Sequence, residues 1–263
     1  MDNSSLVSAV VRLFSILEKM SDDGEIGVSD LAQELELPKA TVHRFVKTLE
    51  NLGYVRQFPE SEHYTLTMKL FELSSRVTES LDLVSIADPY MRGLADLTGE
   101  TVHLAVFDEA SIVYLHKIPS RHALQLVSRV GRRAPLHCTA IGKAIVSSWS
   151  DHQMRDLLKA IEFQRFTEHT ITTPEGWRQE LDTVRARSYA IDDQEHELSV
   201  RCFAVPVFDQ TNKSVAGISI SIPVFRINEE LMPEVISQLC KAGECVSREM
   251  GCSLDFGSSC KEL

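Results

Sequence analysis

Aromatic residues are scarce in this chain, at 7% of 263 positions with two Trp among them. Long apolar runs are missing too. The longest uncharged stretch in the C-terminal half, residues 214–225, is about a dozen residues, whereas a membrane-spanning helix needs roughly 20. No membrane partner is therefore expected. Met1-Asp2-Asn3-Ser4-Ser5 has neither the basic start nor the small-residue cleavage site of a signal peptide, which predicts a cytoplasmic location. Basic charge is also in deficit, with 27 Lys+Arg against 38 Asp+Glu and a net charge of −11. Taken whole, such a surface opposes nucleic acid and anionic lipid. The chain has no Gly-x-Ser-x-Gly elbow, no phosphate loop, no His-Glu-x-x-His and no Gly-x-Gly-x-x-Gly. No catalytic residue and no cofactor is expected from such a sequence. The six cysteines are Cys138, Cys202, Cys240, Cys245, Cys252 and Cys260, and a cytoplasmic chain of this length is expected to keep them reduced. Cys240 and Cys245 lie five apart on a predicted helix, where ligands on one face sit three or four apart, so no metal site is expected.

What is present suits a globular protein of about two domains: 43% apolar and 25% charged residues. Leu6, Val10, Leu13, Phe14, Leu17 and Met20 recur at helical spacing, and Asp22-Asp23-Gly24 ends that helix. A short helix is predicted over Val28–Leu35 with Ser29 as its N-cap. A third opens at Pro38 and stops at Gly53. Tyr54–Phe58 and His63–Leu66 then read as a hairpin around Pro59-Glu60-Ser61-Glu62. A connecting helix carries Leu66, Leu70, Phe71, Leu73 and Val77. Beyond residue 82 the pattern becomes mixed. Helices are predicted at Ala87–Leu97, Thr139–Ser148, Asp151–Ile161, Glu175–Arg187 and Asn228–Met250. Strands are predicted at Thr101–Phe107, Ile112–Ile118, Leu124–Val130, Cys202–Phe208 and Val215–Ile222. Paired strands with flanking helices imply an antiparallel α+β domain.

The third helix separates its chemistry by face. Val42, Phe45, Val46, Leu49 and Leu52 form an apolar stripe, opposite Lys39, Ala40, His43, Arg44 and Lys47, with Thr41 at the leading edge. From Leu37 to Leu49 there are three basic residues and no acidic one, although residues 1–80 hold 8 basic and 13 acidic residues, net −5. Three basic residues on one helix can be merely a solvated face. Here the short helix, tight turn, longer helix and hairpin come in the order of a winged helix-turn-helix, whose second helix enters the major groove. Ala40 permits close approach to a thymine methyl. Thr41, His43 and Arg44 offer base-edge contacts, Lys47 suits phosphate, and Arg56 on the wing suits the backbone or minor groove.

Val28-Ser29-Asp30-Leu31-Ala32, Leu37-Pro38-Lys39-Ala40-Thr41-Val42-His43-Arg44, Leu52-Gly53-Tyr54-Val55 and Tyr64-Thr65-Leu66-Thr67 resemble the DNA-binding domain of the IclR family of bacterial transcriptional regulators. The resemblance continues through Gly99–Leu104, Pro135–Ala144 and a C-terminal signature from Ser188 to Asp209, in which Asp192, Glu195, Cys202 and Asp209 fill the polar positions. Ser188 stands where Gly or Ala is usual, and Phe203 where an aliphatic residue is usual. Residues 70–73, 113–118 and 130–133 look most like regulators of 2-keto-3-deoxygluconate and related sugar-acid pathways.

This resemblance implies an α+β chain with a winged helix-turn-helix domain at 1–66, a linker helix at 67–82, a GAF-like antiparallel-sheet effector domain at 83–251 and a loose tail at 252–263. It further implies a homodimer or homotetramer on double-stranded operator DNA. The implied effector is a small carboxylate or 2-keto-3-deoxy sugar acid at Leu126, Ala140, Ile141, Asp192, Cys202, Ser219 and Ser221. The residue chemistry fits. The start of the helix at Thr139-Ala140-Ile141-Gly142 offers free N–H groups to a carboxylate, and Ser219 and Ser221 face one side of a strand. The bland readings are backbone-bonded serines, a turn-capping Asp192 and Cys202 as a small hydrophobe. Arg129, Arg132 and Arg133 flank a glycine turn; two of the three are expected in solvent or at an interface. Two other classes stay open: an enzyme on a small keto acid using His137 and Cys138, and a redox sensor using Cys202 or Cys138.

Overall fold

The structure is a computed structural model and describes residues 7–73, 83–123 and 128–256. The chain divides into two units, residues 1–81 and 82–263.

In the first unit α1 (Ser8–Asp23) is followed by β1 (Ile26–Gly27), α2 (Val28–Glu34), α3 (Lys39–Asn51), β2 (Val55–Gln57) and β3 (His63–Leu66). The strands form an antiparallel sheet in the order β1-β3-β2, with Ile26 opposite Tyr64 and Arg56 opposite Thr65. Ile16, Met20, Leu31, Val42, Val46, Leu49, Val55 and Tyr64 close the core. Three expectations change. Ser29 lies inside α2, whose N-cap is Gly27. Pro38 caps α3 from outside because its ψ of 130° is extended. Leu52 leaves the apolar stripe, at 54% exposed, because the helix has ended before it. The periodicity of α1 is present, yet Val10 and Phe14 face outward with Val7 and Val11. Between α2 and α3, Glu36 takes φ 53° while Leu37 N–H donates to the Ala32 carbonyl at 3.0 Å, which turns one helix into the next.

In the second unit α4 (Leu83–Thr98) leads to β4 (Thr101–Asp108), β5 (Ser111–Ile118), β6 (Arg133–Pro135), α5 (Ala140–Ser147), α6 (Asp151–Ala160) and α7 (Pro174–Arg187). Then come β7 (Ala190–Asp193), β8 (Val200–Phe208), β9 (Ser214–Pro223) and α8 (Met232–Glu249). The six strands run antiparallel in the order β6-β5-β4-β9-β8-β7. Alternation along β9 separates two faces. Ala216, Ile218, Ile220 and Ile222 join Val102, Leu104, Phe203 and Val205 beneath α4 and α8. On the other face Ala105, Ala190 and Ala204 lie beneath α5 and α7. Small residues let α5 come close. A Cβ on Gly142 would stand 2.1 Å from the Leu136 carbonyl oxygen, so no other residue fits there. Trp177 is wholly buried and its indole N–H donates to the His137 carbonyl at 2.9 Å.

The predicted strand Leu124–Val130 is not a strand over its described residues 128–130, and residues 124–127 lie outside the description. The partner of β5 is instead the three-residue β6, reached through Gly131 at φ 83°. The predicted linker helix is helical at 69–73, and its remainder lies outside the described residues. Of the cysteines, Cys138, Cys202, Cys245 and Cys252 are free thiols, while Cys240 is disulfide-bonded, against the all-reduced expectation. No described helix is long and apolar enough to cross a membrane.

Candidate functional site

The outer face of α3 is one candidate. Val42, Val46 and Leu49 anchor it in the core. That leaves Lys39, Ala40, His43 and Arg44 exposed and Thr41 half-buried on the opposite side. Among the described residues Lys39, His43 and Arg44 have no ion-pair partner, so their donors are free for a ligand. Lys47 is more constrained than the sequence suggests. Its ammonium donates to Glu50 at 2.7 Å and lies 5.4 Å from the Tyr64 ring centroid, which fastens α3 to the wing. The hydrogen bond to Glu50 holds its pKa above the ordinary value. Arg56 is exposed on β2 and stacks on Phe58 at 5.3 Å.

The second candidate is a cavity of about 530 Å³ in the C-terminal unit, within the range of small-molecule sites. Strand register builds its floor. Asp192 on β7 lies beside Cys202 on β8, which lies beside Ser221 on β9. His103 on β4 is one pleat along, opposite Ser219. Tyr114, Ser128, Arg132, Phe166 and His196 complete the walls.

Asp192 is buried, and its Oδ1 accepts the backbone N–H groups of Glu195 at 2.7 Å and His196 at 3.3 Å. Burial, and then the neighbouring Glu195, push its carboxyl up to about 7. Behind it the wholly buried Lys143 meets Glu195 at 2.5 Å and Glu180 at 3.5 Å. The second oxygen of Glu195 is buried and has no hydrogen-bond partner. His103 bonds Ser128 Oγ at 2.7 Å, and burial beside Lys117 pushes its pKa down to about 3, so the ring is neutral. The Cys202 thiol donates to Ser221 Oγ at 3.1 Å.

The structure brings Asp192, Cys202 and Ser221 together on this wall. Ser219 shares their face of β9 but is buried beside the cavity, and Ala140 and Ile141 are buried in the packing of α5. Leu126 lies outside the described residues. Sequence reasoning missed His103, Tyr114, Ser128, Phe166 and His196. His103 had a usable signal, because residues 101, 103 and 105 share a parity on one predicted strand. The others arrive by register and loop closure. Of the three arginines, Arg133 is bound by Asp108, Arg129 is exposed away from the cavity wall, and Arg132 lines it.

The enzyme and redox readings find little here. The His137 ring bonds the Gln164 carbonyl at 2.9 Å and packs on Phe163. Burial pushes the Cys138 and Cys202 thiols up, opposite to the activation that reactive thiols need. Among the described residues no group of His, Cys, Asp and Glu could hold a metal.

Comparison with known proteins gives a consistent answer. A family model described as the IclR helix-turn-helix domain matches residues 9–59, and one described as the bacterial transcriptional regulator IclR C-terminal domain matches residues 75–248. The HTH-type transcriptional regulator KdgR of Escherichia coli is 46% identical over 93% of each chain. The transcriptional repressor IclR of the same organism is 31% identical over 93% of this chain and 90% of its own. The crystal structure of Thermotoga maritima IclR superposes with a TM-score of 0.80 at 31% identity, covering 93% of this chain and 99% of that one.

Proposed function

The chain belongs to the IclR family of bacterial transcriptional regulators, and from that premise we propose that it represses a sugar-acid catabolic operon and releases its operator when the acid binds. Reading of DNA falls to Lys39, Ala40, Thr41, His43 and Arg44, with Lys47 and Arg56 on phosphate. Binding of the acid falls to Asp192, Cys202, Ser219 and Ser221, with His103, Ser128 and Arg132 added. Ala140 and Ile141 pack in α5 behind that site. One observation carries the reading: a polar floor of Asp192, Cys202 and Ser221 in a cavity whose rim is cationic, which suits hydroxyls at one end and a carboxylate at the other.

A homo-oligomer places two reading helices on half-sites about one helical turn, roughly 34 Å, or a multiple apart. The exposed stripe Val7, Val10, Val11 and Phe14 on α1 is apolar surface that a second copy would cover. Selection from a random duplex library tests DNA reading. The full chain is expected to enrich a pseudopalindrome, and absence of enrichment would reject the reading. A thermal-shift screen of sugar acids tests the cavity, since a ligand raises stability by RT ln(1 + [L]/Kd). No shift with any sugar acid would reject the ligand class.

A further inference from the structure

Charge around the cavity is unevenly placed. The floor holds Asp192, Cys202 and Ser221, with Glu197 on the wall. The buried cation behind them, Lys143, is engaged by Glu195 and Glu180. His103 is neutral. The rim holds two arginines. Arg133 donates to both the carboxylate and the carbonyl of Asp108. Arg132 is exposed and, among the described residues, has no ion-pair partner. Its backbone is fixed: Tyr114 N–H donates to the Arg132 carbonyl at 3.1 Å, and Arg132 N–H donates to the Arg129 carbonyl at 3.2 Å. Its charge reaches the Tyr114 and His196 side chains on the cavity wall.

A carboxylate on the floor would face Glu197 and, among the described residues, no unpaired cation, because Lys143 is held by Glu195 and Glu180. At the rim it meets a guanidinium whose fork matches it in a bidentate fashion. Hydroxyls on the floor meet a carboxyl, a thiol and a serine. The first turn of α5 is the competing anion site. There Gly142 N–H already donates to Thr139 Oγ1 at 3.3 Å, Leu136 lies against Gly142, and neither Ala140 nor Ile141 is on the cavity wall.

We propose that Arg132 holds the carboxylate of the ligand at the cavity rim, so that a polyhydroxylated monocarboxylic acid enters with its hydroxyl end toward Asp192 and Ser221. This orientation rests on the sugar-acid reading above, and it makes Arg132 the residue that selects acids over their neutral counterparts.

The test is calorimetric titration of the full chain with 2-keto-3-deoxygluconate and with its primary amide, which keeps the shape and loses the charge. Wild type is expected to bind the acid about tenfold or more tightly than the amide, the range of a charge-assisted hydrogen bond. In Arg132→Met, which keeps the stem and lies exposed, that ratio should fall to about one while amide affinity holds. Arg129→Met on the same turn should keep the wild-type ratio. An unchanged ratio in Arg132→Met would overturn the orientation and send the carboxylate to α5. Failure of wild type to bind either compound would instead overturn the ligand class, and the orientation with it.

Discussion

Replacing Asp192 by Asn should remove a pH dependence of stability that the wild-type effector unit carries. Asp192 is 4% exposed, and its carboxyl is pushed up from 3.8 to about 7, first by burial and then by Glu195. Below about pH 4 the group is protonated in folded and unfolded chains alike and contributes nothing. Between about 4 and 7 the folded chain keeps a proton that the unfolded chain releases, so stability falls as pH rises. Above about 7 both forms are ionised and the penalty is constant. At about 1.36 kcal/mol per pH unit, the full penalty is about 4 kcal/mol, with less than half of it already present at pH 5. Asn retains an acceptor for the Glu195 and His196 amides and cannot titrate. Both tryptophans, Trp149 and Trp177, lie in this unit, so urea unfolding followed by tryptophan fluorescence reports on it. The stability gained by Asp192→Asn over wild type should grow by about 2–3 kcal/mol from pH 5 to pH 8. A difference of the same size at both pH values would refute the claim that folded Asp192 holds a proton.

Other substitutions probe other parts. Gly142→Ala puts a Cβ 2.1 Å from a backbone oxygen and should destabilise by about 1–3 kcal/mol or more, seen as a lower Tm; an unchanged Tm would mean that α5 is not held against residue 136. Ser188 caps α7 at φ 69°, so Ser188→Gly should stabilise by up to about 1 kcal/mol, and a fall in Tm would contradict that strain. Arg44→Ala should cost about 1–3 kcal/mol of discrimination between operator and random duplex, measured by mobility shift; an unaltered sequence preference would remove Arg44 from base reading.

The winged helix was legible because its signals are local. Pro38, Gly53 and the stripe Val42, Val46 and Leu49 lie within one short segment. The long strands β4, β5 and β9 were legible by alternation. The strands that were missed, β1, β6 and β7, have two to four residues, too few to show a period, and Asp192 and Asp193 depress β-propensity in β7. That omission hid the cavity floor, because Asp192, Cys202 and Ser221 meet only through the pairing of β7, β8 and β9. The two departures from the family pattern also have places in the fold. Phe203 is buried beneath α4 and α8, and Ser188 takes the left-handed cap where glycine would rest more easily. The overall charge of −11 concealed the basic face, because basic residues gather on one exposed side of α3.

In the proposed mechanism, acid in the cavity controls the grip of α3 on DNA. This control is tested most directly by fluorescence-anisotropy titration of the full chain on the selected duplex, with and without saturating 2-keto-3-deoxygluconate. A coupling of about 2.7 kcal/mol, within the usual allosteric range, weakens binding about 100-fold. The expected Kd rises by that order, and the effect is lost in Asp192→Ala. A Kd that does not move with the acid would contradict that mechanism.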